Sequence, residues 1–118
     1  MVRIRLLVTV ALAIAAFVVT SAQAAPPKLV GAVAESSYNI TLKEGGTKVT
    51  RLKPGTYTFV IKDSAASHNF HLTGPAVNKK TGVAAKVVVT WTLTLKKGKY
   101  RYFCDPHASF MSGTFKVA

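Results

Sequence analysis

Between Val87 and Lys96 the side chains change character at almost every step: Val87, Val89, Trp91, Leu93 and Leu95 alternate with Val88, Thr90, Thr92, Thr94 and Lys96. An extended chain points successive side chains to opposite faces, so a period of two marks a strand with one face on a core and the other in water. The same period runs through Tyr38, Ile40 and Leu42, and again through Tyr57, Phe59 and Ile61, where β-branched and aromatic residues add to the strand signal. Glu44-Gly45-Gly46, Pro54-Gly55 and Lys97-Gly98 punctuate these runs as turns. Leu29 to Val33 is expected as a first, edge strand, and Val49 and Leu52 as a short one. The stretch from Gly74-Pro75 to Thr81-Gly82, with Lys79-Lys80, has no apolar periodicity and reads as a loop, a flexible flap. No segment after the N-terminal stretch has a helical period. The expectation is an all-β domain of seven to eight short strands packed as two sheets, with Trp91 in the core.

The N-terminal stretch is different in kind. Arg3 and Arg5 precede an apolar run from Leu6 to Val19, and Ala22-Gln23-Ala24 supplies small residues in an Ala-x-Ala pattern. That is the layout of a secretory signal, with cleavage expected after Ala24. The apolar run of 14 residues falls short of the ~20 that a spanning helix needs, so no stable membrane span is expected after cleavage. Residues 1–24 are therefore read as the leader and 25–118 as one exported domain. A domain of this size buries somewhat over ~60% of its unfolded surface and needs no second core.

The chain of 118 residues carries a formal charge of +12. Without Arg3 and Arg5 this becomes +10, with Glu35, Glu44, Asp63 and Asp105 as the only acids. Such a balance favours acidic partners and speeds their encounter at low salt. Export, and lysines scattered through turns and strand faces without interleaved aromatics, argue against nucleic acid. An acidic redox partner protein or the anionic outer surface of a cell fits this charge, and a solvated surface that keeps the domain soluble fits it equally. The compartment is periplasmic, extracellular or cell-surface, and the domain is expected to act as a monomer.

One cysteine stands in the whole sequence, so no internal disulfide is available. It lies in Cys104-Asp105-Pro106-His107-Ala108-Ser109-Phe110-Met111, which brings a thiol, an imidazole and a thioether together within eight residues. These are softer ligands, suited to copper in two oxidation states, and ligation gives an otherwise oxidisable exported thiol a reason to exist. His68, in Ser67-His68-Asn69-Phe70, is the candidate fourth donor. Two imidazoles, one thiolate and a weak axial methionine make a trigonal blue-copper site. Side-chain parity separates the two upstream histidines: His68 shares a face with Phe70 and Leu72, whereas His71 falls with Asn69 on the other face. Parity likewise sets Cys104 on the side of Tyr100 and Tyr102.

The order and spacing of these residues, an upstream His-Asn followed by Cys-x2-His-x3-Met and the closing strand Gly113-Thr114-Phe115-Lys116-Val117, resemble the cupredoxin family, the group of plastocyanin, amicyanin, pseudoazurin and azurin. The resemblance covers Leu29 to Ala118. It implies a cupredoxin-like Greek-key β-sandwich holding one type 1 copper ion through His68, Cys104, His107 and Met111. It also implies that Asn69 ties the two ligand loops together, and it gives His71 no counterpart, which leaves His71 as a surface residue. The loop mixes known lengths: the plastocyanin pattern has four residues between histidine and methionine, amicyanin two, and azurin three after a longer gap from cysteine to histidine.

These features point to a one-electron carrier. Three histidines cannot supply both a blue-copper centre and the multi-histidine cluster of a copper oxidase, and acids are too few for a hydrolytic triad, so no enzyme activity is expected. Two other readings stay open: a copper-binding protein for storage or delivery without redox work, and a metal-free secreted sandwich used as a binding module.

Overall fold

The alternating segments become strands that sort their side chains as the period requires. In a computed structural model that describes residues 10–118, the order is β1 (Lys28–Val33), β2 (Ile40–Glu44), β3 (Thr47–Lys48), β4 (Arg51–Leu52), β5 (Gly55–Asp63), β6 (His71–Gly74), β7 (Val77–Lys80), β8 (Val88–Leu95), β9 (Gly98–Phe103) and β10 (Ser112–Val117), with one 3-10 turn over Asp105–His107. Two of these are two-residue stubs, so eight strands of four residues or more carry the architecture. They form two five-stranded sheets, ordered β3-β2-β1-β5-β8 and β4-β10-β9-β6-β7. The expected all-β, Greek-key sandwich is the observed one.

Between the sheets lie Leu29, Leu42, Phe59, Ile61, Phe70, Leu72, Leu95, Tyr100, Tyr102, Phe115 and Val117, all buried. Phe70 stacks on Tyr102 at 5.7 Å and Tyr100 on Phe115 at 5.2 Å between ring centres. Along β8, burial rises at every second residue, and Val89, Trp91 and Leu93 pack half-buried against this cluster while Leu95 is fully inside. Trp91 therefore sits at the margin of the core.

Three expectations need correction. Leu29–Val33 is a central strand: β1 pairs antiparallel with β2 and parallel with β5. Alternation in a sequence reports the two faces of a strand but not its neighbours, and a parallel neighbour 30 residues away leaves no local mark. The central position is also why residue 31 is glycine, since a Cβ there would come within 2.8 Å of Ile61 and Phe70 side-chain atoms. Second, Gly74 to Gly82 is no flap: β6 and β7 form a hairpin across Pro75-Ala76, with Thr73 opposite Asn78. β7 is an edge strand whose single buried residue is Val77, so it has no apolar period to read. Third, Tyr38 precedes β2 and is exposed.

The Gly45-Gly46 turn behaves as read, with positive φ at both glycines, the backbone of a two-residue hairpin joining β2 to β3. At the N-terminus, residues 10–27 are exposed and lack helix or strand. The Pro27 carbonyl accepts a hydrogen bond from Thr58 N–H at 2.9 Å. No helix among the described residues is long and apolar enough to cross a membrane. The basic start of the expected leader, Arg3 and Arg5, lies outside the described residues.

Candidate metal centre

Strand β9 delivers Cys104. With Tyr100 and Tyr102 buried and their neighbours outward, the next inward position is residue 104, and its thiol is fully buried. The chain then turns at once. Pro106 pre-sets its own φ for a tight turn and donates no N–H, and His107 N–H closes the turn on the Cys104 carbonyl at 3.1 Å. Met111 N–H donates to the His107 carbonyl at 2.8 Å, and Cys104 N–H to the Met111 carbonyl at 3.0 Å. Cys104 and Met111 therefore continue the β9–β10 ladder one step past Phe103 and Ser112. Directly opposed residues share a face of a sheet, so the buried Met111 lies on the inward side with Cys104.

His68 comes from the other half of the chain, in the segment between β5 and β6. Polar side chains hold that segment. Glu35 accepts the Ala66 and Ser67 N–H groups at 2.6 and 3.1 Å and the Ser67 hydroxyl at 2.8 Å. The buried Asp63 accepts the Thr81 hydroxyl at 2.6 Å, and the same Thr81 oxygen accepts Phe70 N–H at 2.9 Å. His68, Asn69 and Phe70 are not strand, and all three are buried. The inward position that parity gives His68 matches its burial, but parity misplaces Asn69, because alternation applies only once β6 begins at His71.

The result is a triangle of donors. His68 Nδ1 and His107 Nδ1 are 3.0 Å apart, and Cys104 Sγ lies 3.7 Å from the first and 3.5 Å from the second. The point equidistant from three atoms so spaced is ~2.0 Å from each. Metal bonds to imidazole nitrogen are ~2.0–2.1 Å and to thiolate sulfur ~2.3 Å, so the three side chains fit a single ion with little movement. The donor set is that of copper rather than of a hard, oxygen-seeking cation. Among the described residues this is the one cluster able to hold a metal.

Asn69 joins the two ligand segments. Its Oδ1 accepts Asp105 N–H at 2.8 Å, and its Nδ2 donates to Asp105 Oδ2 at 2.7 Å and to the Thr81 carbonyl at 3.0 Å. The second carboxylate oxygen of Asp105 pairs with His71 Nδ1 at 2.7 Å, while His71 Nε2 meets Asn78 Oδ1 at 2.6 Å. Both ring nitrogens of His71 therefore face side-chain oxygens. His71 is on the outer face, away from the triangle, yet its side chain is only 14% exposed. It is an anchored residue rather than a free surface one. Partial burial works to raise the Asp105 carboxyl, but the hydrogen bonds from His71 and Asn69, helped by the charges of His71 and Lys80, outweigh it and leave the group below its usual range.

Sequence reasoning missed Asp105, Glu35 and Tyr38. The first two are short-range anonymous acids whose partners lie more than 30 residues away. Tyr38 sets its ring edge-on to His68 at 5.4 Å, His107 at 5.1 Å and Phe110 at 5.5 Å, forming an aromatic cover over the histidines. Its place in an apparent strand pattern concealed this.

A two-sheet β-sandwich carrying a Cys–His–His triangle, with His68 and Cys104 buried and His107 half-buried, defines a protein with a soft-ligand metal site. The family model for the cupredoxin-like domain matches residues 9–117; the chain belongs to the cupredoxin family. Among solved structures it is similar to auracyanin A, a "blue" copper protein from the bacterium Chloroflexus aurantiacus, at 19% identity and a TM-score of 0.52, over 80% of this chain and 100% of that one. It is also similar to an oxidised mutant of amicyanin, at 22% identity and TM-score 0.50, covering 76% and 81% of the two chains. Reduced rusticyanin gives 20% identity and TM-score 0.50, covering 77% and 78%. At these identities the likeness concerns the fold. No curated protein sequence matches the chain.

Proposed function

We propose that this chain is an exported type 1 copper protein that carries single electrons between redox partners, and that His68, Cys104, His107 and Met111 would hold the copper ion. The observation that carries the proposal is the donor triangle, whose spacing and chemistry fit one copper ion. Bound copper supplies the one-electron couple; the rest is the work of the polypeptide.

That work is to hold a fixed geometry. Cys104, His107 and Met111 sit in a loop closed by four backbone hydrogen bonds, and Asn69 locks it against the segment bearing His68. A frame that does not rearrange lets an electron arrive or leave with little reorganisation. Pro106 donates no hydrogen bond near the sulfur, and such bonds are one lever on a metal's potential. The three histidines of the chain are all placed, two in the triangle and His71 on Asp105, which supports a carrier over an enzyme with a second copper cluster. Residues 1–24 are proposed as the removed leader and 25–118 as the single working domain.

Titrating purified protein with copper(II) tests the assignment. A stoichiometric, intense blue absorption is expected, and Cys104→Ser should abolish it. A protein that stays colourless with copper, or a serine variant that keeps the band, would refute it.

A further inference from the structure

The outer face of the sheet β4-β10-β9-β6 carries a row of like charges. Lys116 on β10 stands directly opposite Lys99 on β9 and, on its other side, Arg51 on β4. All three are exposed. Strands lie ~4.8 Å apart, and like charges set directly opposite each other destabilise a sheet. In the next row Arg101 lies between Thr114 and Thr73. Lys48, Lys99, Arg101 and Lys116 line a groove of about 800 Å³ that contains no acid, and Arg51 borders it beside Lys116.

Three of the four acids are committed elsewhere on the molecule. Glu35 holds the segment before His68, Asp63 holds Thr81, and Asp105 holds Asn69 and His71. Glu44 lines a neighbouring hollow with Lys48 and Arg51, but no carboxylate among the described residues forms an ion pair with a lysine or arginine. Glu44 thus adjoins the Lys48 and Arg51 edge, while no acid lines the groove around Lys99, Lys116 and Arg101, which leaves that part open to carboxylates from outside.

Arg101 connects the groove to the metal loop. Its guanidinium lies 4.5 Å over the ring of Phe103, the residue before Cys104, and it donates to the carbonyl of Ala108, the residue after His107. An occupant of the groove therefore adjoins the loop that carries two of the donor-triangle residues.

We infer that this groove, centred on Lys99, Lys116 and Arg101 and bordered by Arg51, is the docking surface for a carboxylate-rich face of the redox partner protein. The inference rests on the electron-carrier reading and names the chemistry of its partner. Carboxylates set against the row relieve its internal repulsion as well as adding attraction across the interface. Both contributions are screened at ~0.15 M salt, where the Debye length is ~8 Å.

The test uses a deca-glutamate peptide and copper-loaded protein, with the visible absorption recorded on the same samples. The peptide is expected to bind more weakly as salt rises. The double variant Lys99→Gln/Lys116→Gln should lose roughly tenfold in affinity, whereas Lys62→Gln/Lys86→Gln, with the same charge removed elsewhere, should lose under about twofold. Without peptide, added salt should raise the melting temperature of the wild type more than that of the Lys99/Lys116 variant, because only the wild type retains the repulsive row. Equal losses in the two double variants, or equal salt responses, would overturn the site. A heparin fragment whose binding depends on Lys99 and Lys116 while the peptide's does not would replace the acidic protein with a sulfated polysaccharide and overturn the partner. The copper reading fails separately, by absence of the blue band, and that result would leave peptide binding as measured.

Discussion

Asn69 and Asp105 grip each other through two hydrogen bonds, Asp105 N–H to Asn69 Oδ1 at 2.8 Å and Asn69 Nδ2 to Asp105 Oδ2 at 2.7 Å. They are neighbours in sequence of His68 and Cys104, so the pair fixes the distance between the two halves of the metal centre. Asn69→Ala removes three bonds at a buried position and leaves Asp105 N–H without its partner. An unsatisfied buried group costs ~1–3 kcal/mol, and in a domain of this size each kcal/mol lowers the melting temperature by ~4–8 °C. Thermal melts of the copper-free variant should show that drop, and copper should dissociate faster from the loaded one. An unchanged melt would mean that the loops are held by other means.

His71 supports Asp105 from the opposite, outer side. Because the pair is partly exposed, its removal should cost only ~0.2–1 kcal/mol. His71→Ala should keep the blue absorption almost unchanged in position and intensity. A colourless His71→Ala protein would make His71 a ligand and displace His68.

Met111 is buried beside Cys104 on the inward side of the ladder. As a weak axial ligand it would tune potential more than affinity. Met111→Gln should lower the reduction potential while the protein remains copper-loaded at one equivalent. If potential and spectrum stay as they were, Met111 is core packing and the site has three protein ligands.

Acid should loosen the segment that presents His68. The Glu35 carboxyl is held below its ordinary value of 4.5 by the Ser67 hydroxyl first, then by the Ser67 and Ala66 N–H groups. A group whose folded pKa lies below its unfolded one stabilises the fold above the unfolded value and loses that contribution as pH falls through the folded one. Asp105 acts in the same direction from an ordinary 3.8. The copper-free wild type should therefore be more stable than Glu35→Gln near pH 6, and the two should converge as the pH falls below the ordinary carboxyl value of 4.5. A gap that persists at the acid end would assign the effect to packing instead of charge.

Much of this was legible before any coordinates. The alternation in Val88–Leu95 and Tyr57–Ile61 reports inward and outward faces because a half-buried strand imposes it, and the same parity carried Cys104 inward from Tyr100 and Tyr102. The candidate donors Cys104, His107 and Met111 were legible because they are close in sequence. What was not legible depends on neighbours far along the chain. β1 looks like any short apolar strand, and its central place comes from pairing with β5. Asp105 reads as one more acid until Asn69 and His71 are folded onto it. Tyr38 fits a strand pattern by accident of spacing, and its place over His68 and His107 is set by the turn before β2. β7 has one buried residue and borrows its order from β6.

Cyclic voltammetry of the copper-loaded protein tests the central claim most directly, because carrying an electron requires that the donor triangle hold copper in both oxidation states. The account predicts a reversible one-electron wave that repeats over many cycles, with copper content unchanged at one equivalent per chain. A protein that binds copper but gives an irreversible wave, or releases the metal on reduction, would contradict the electron-carrier assignment and favour copper storage or delivery.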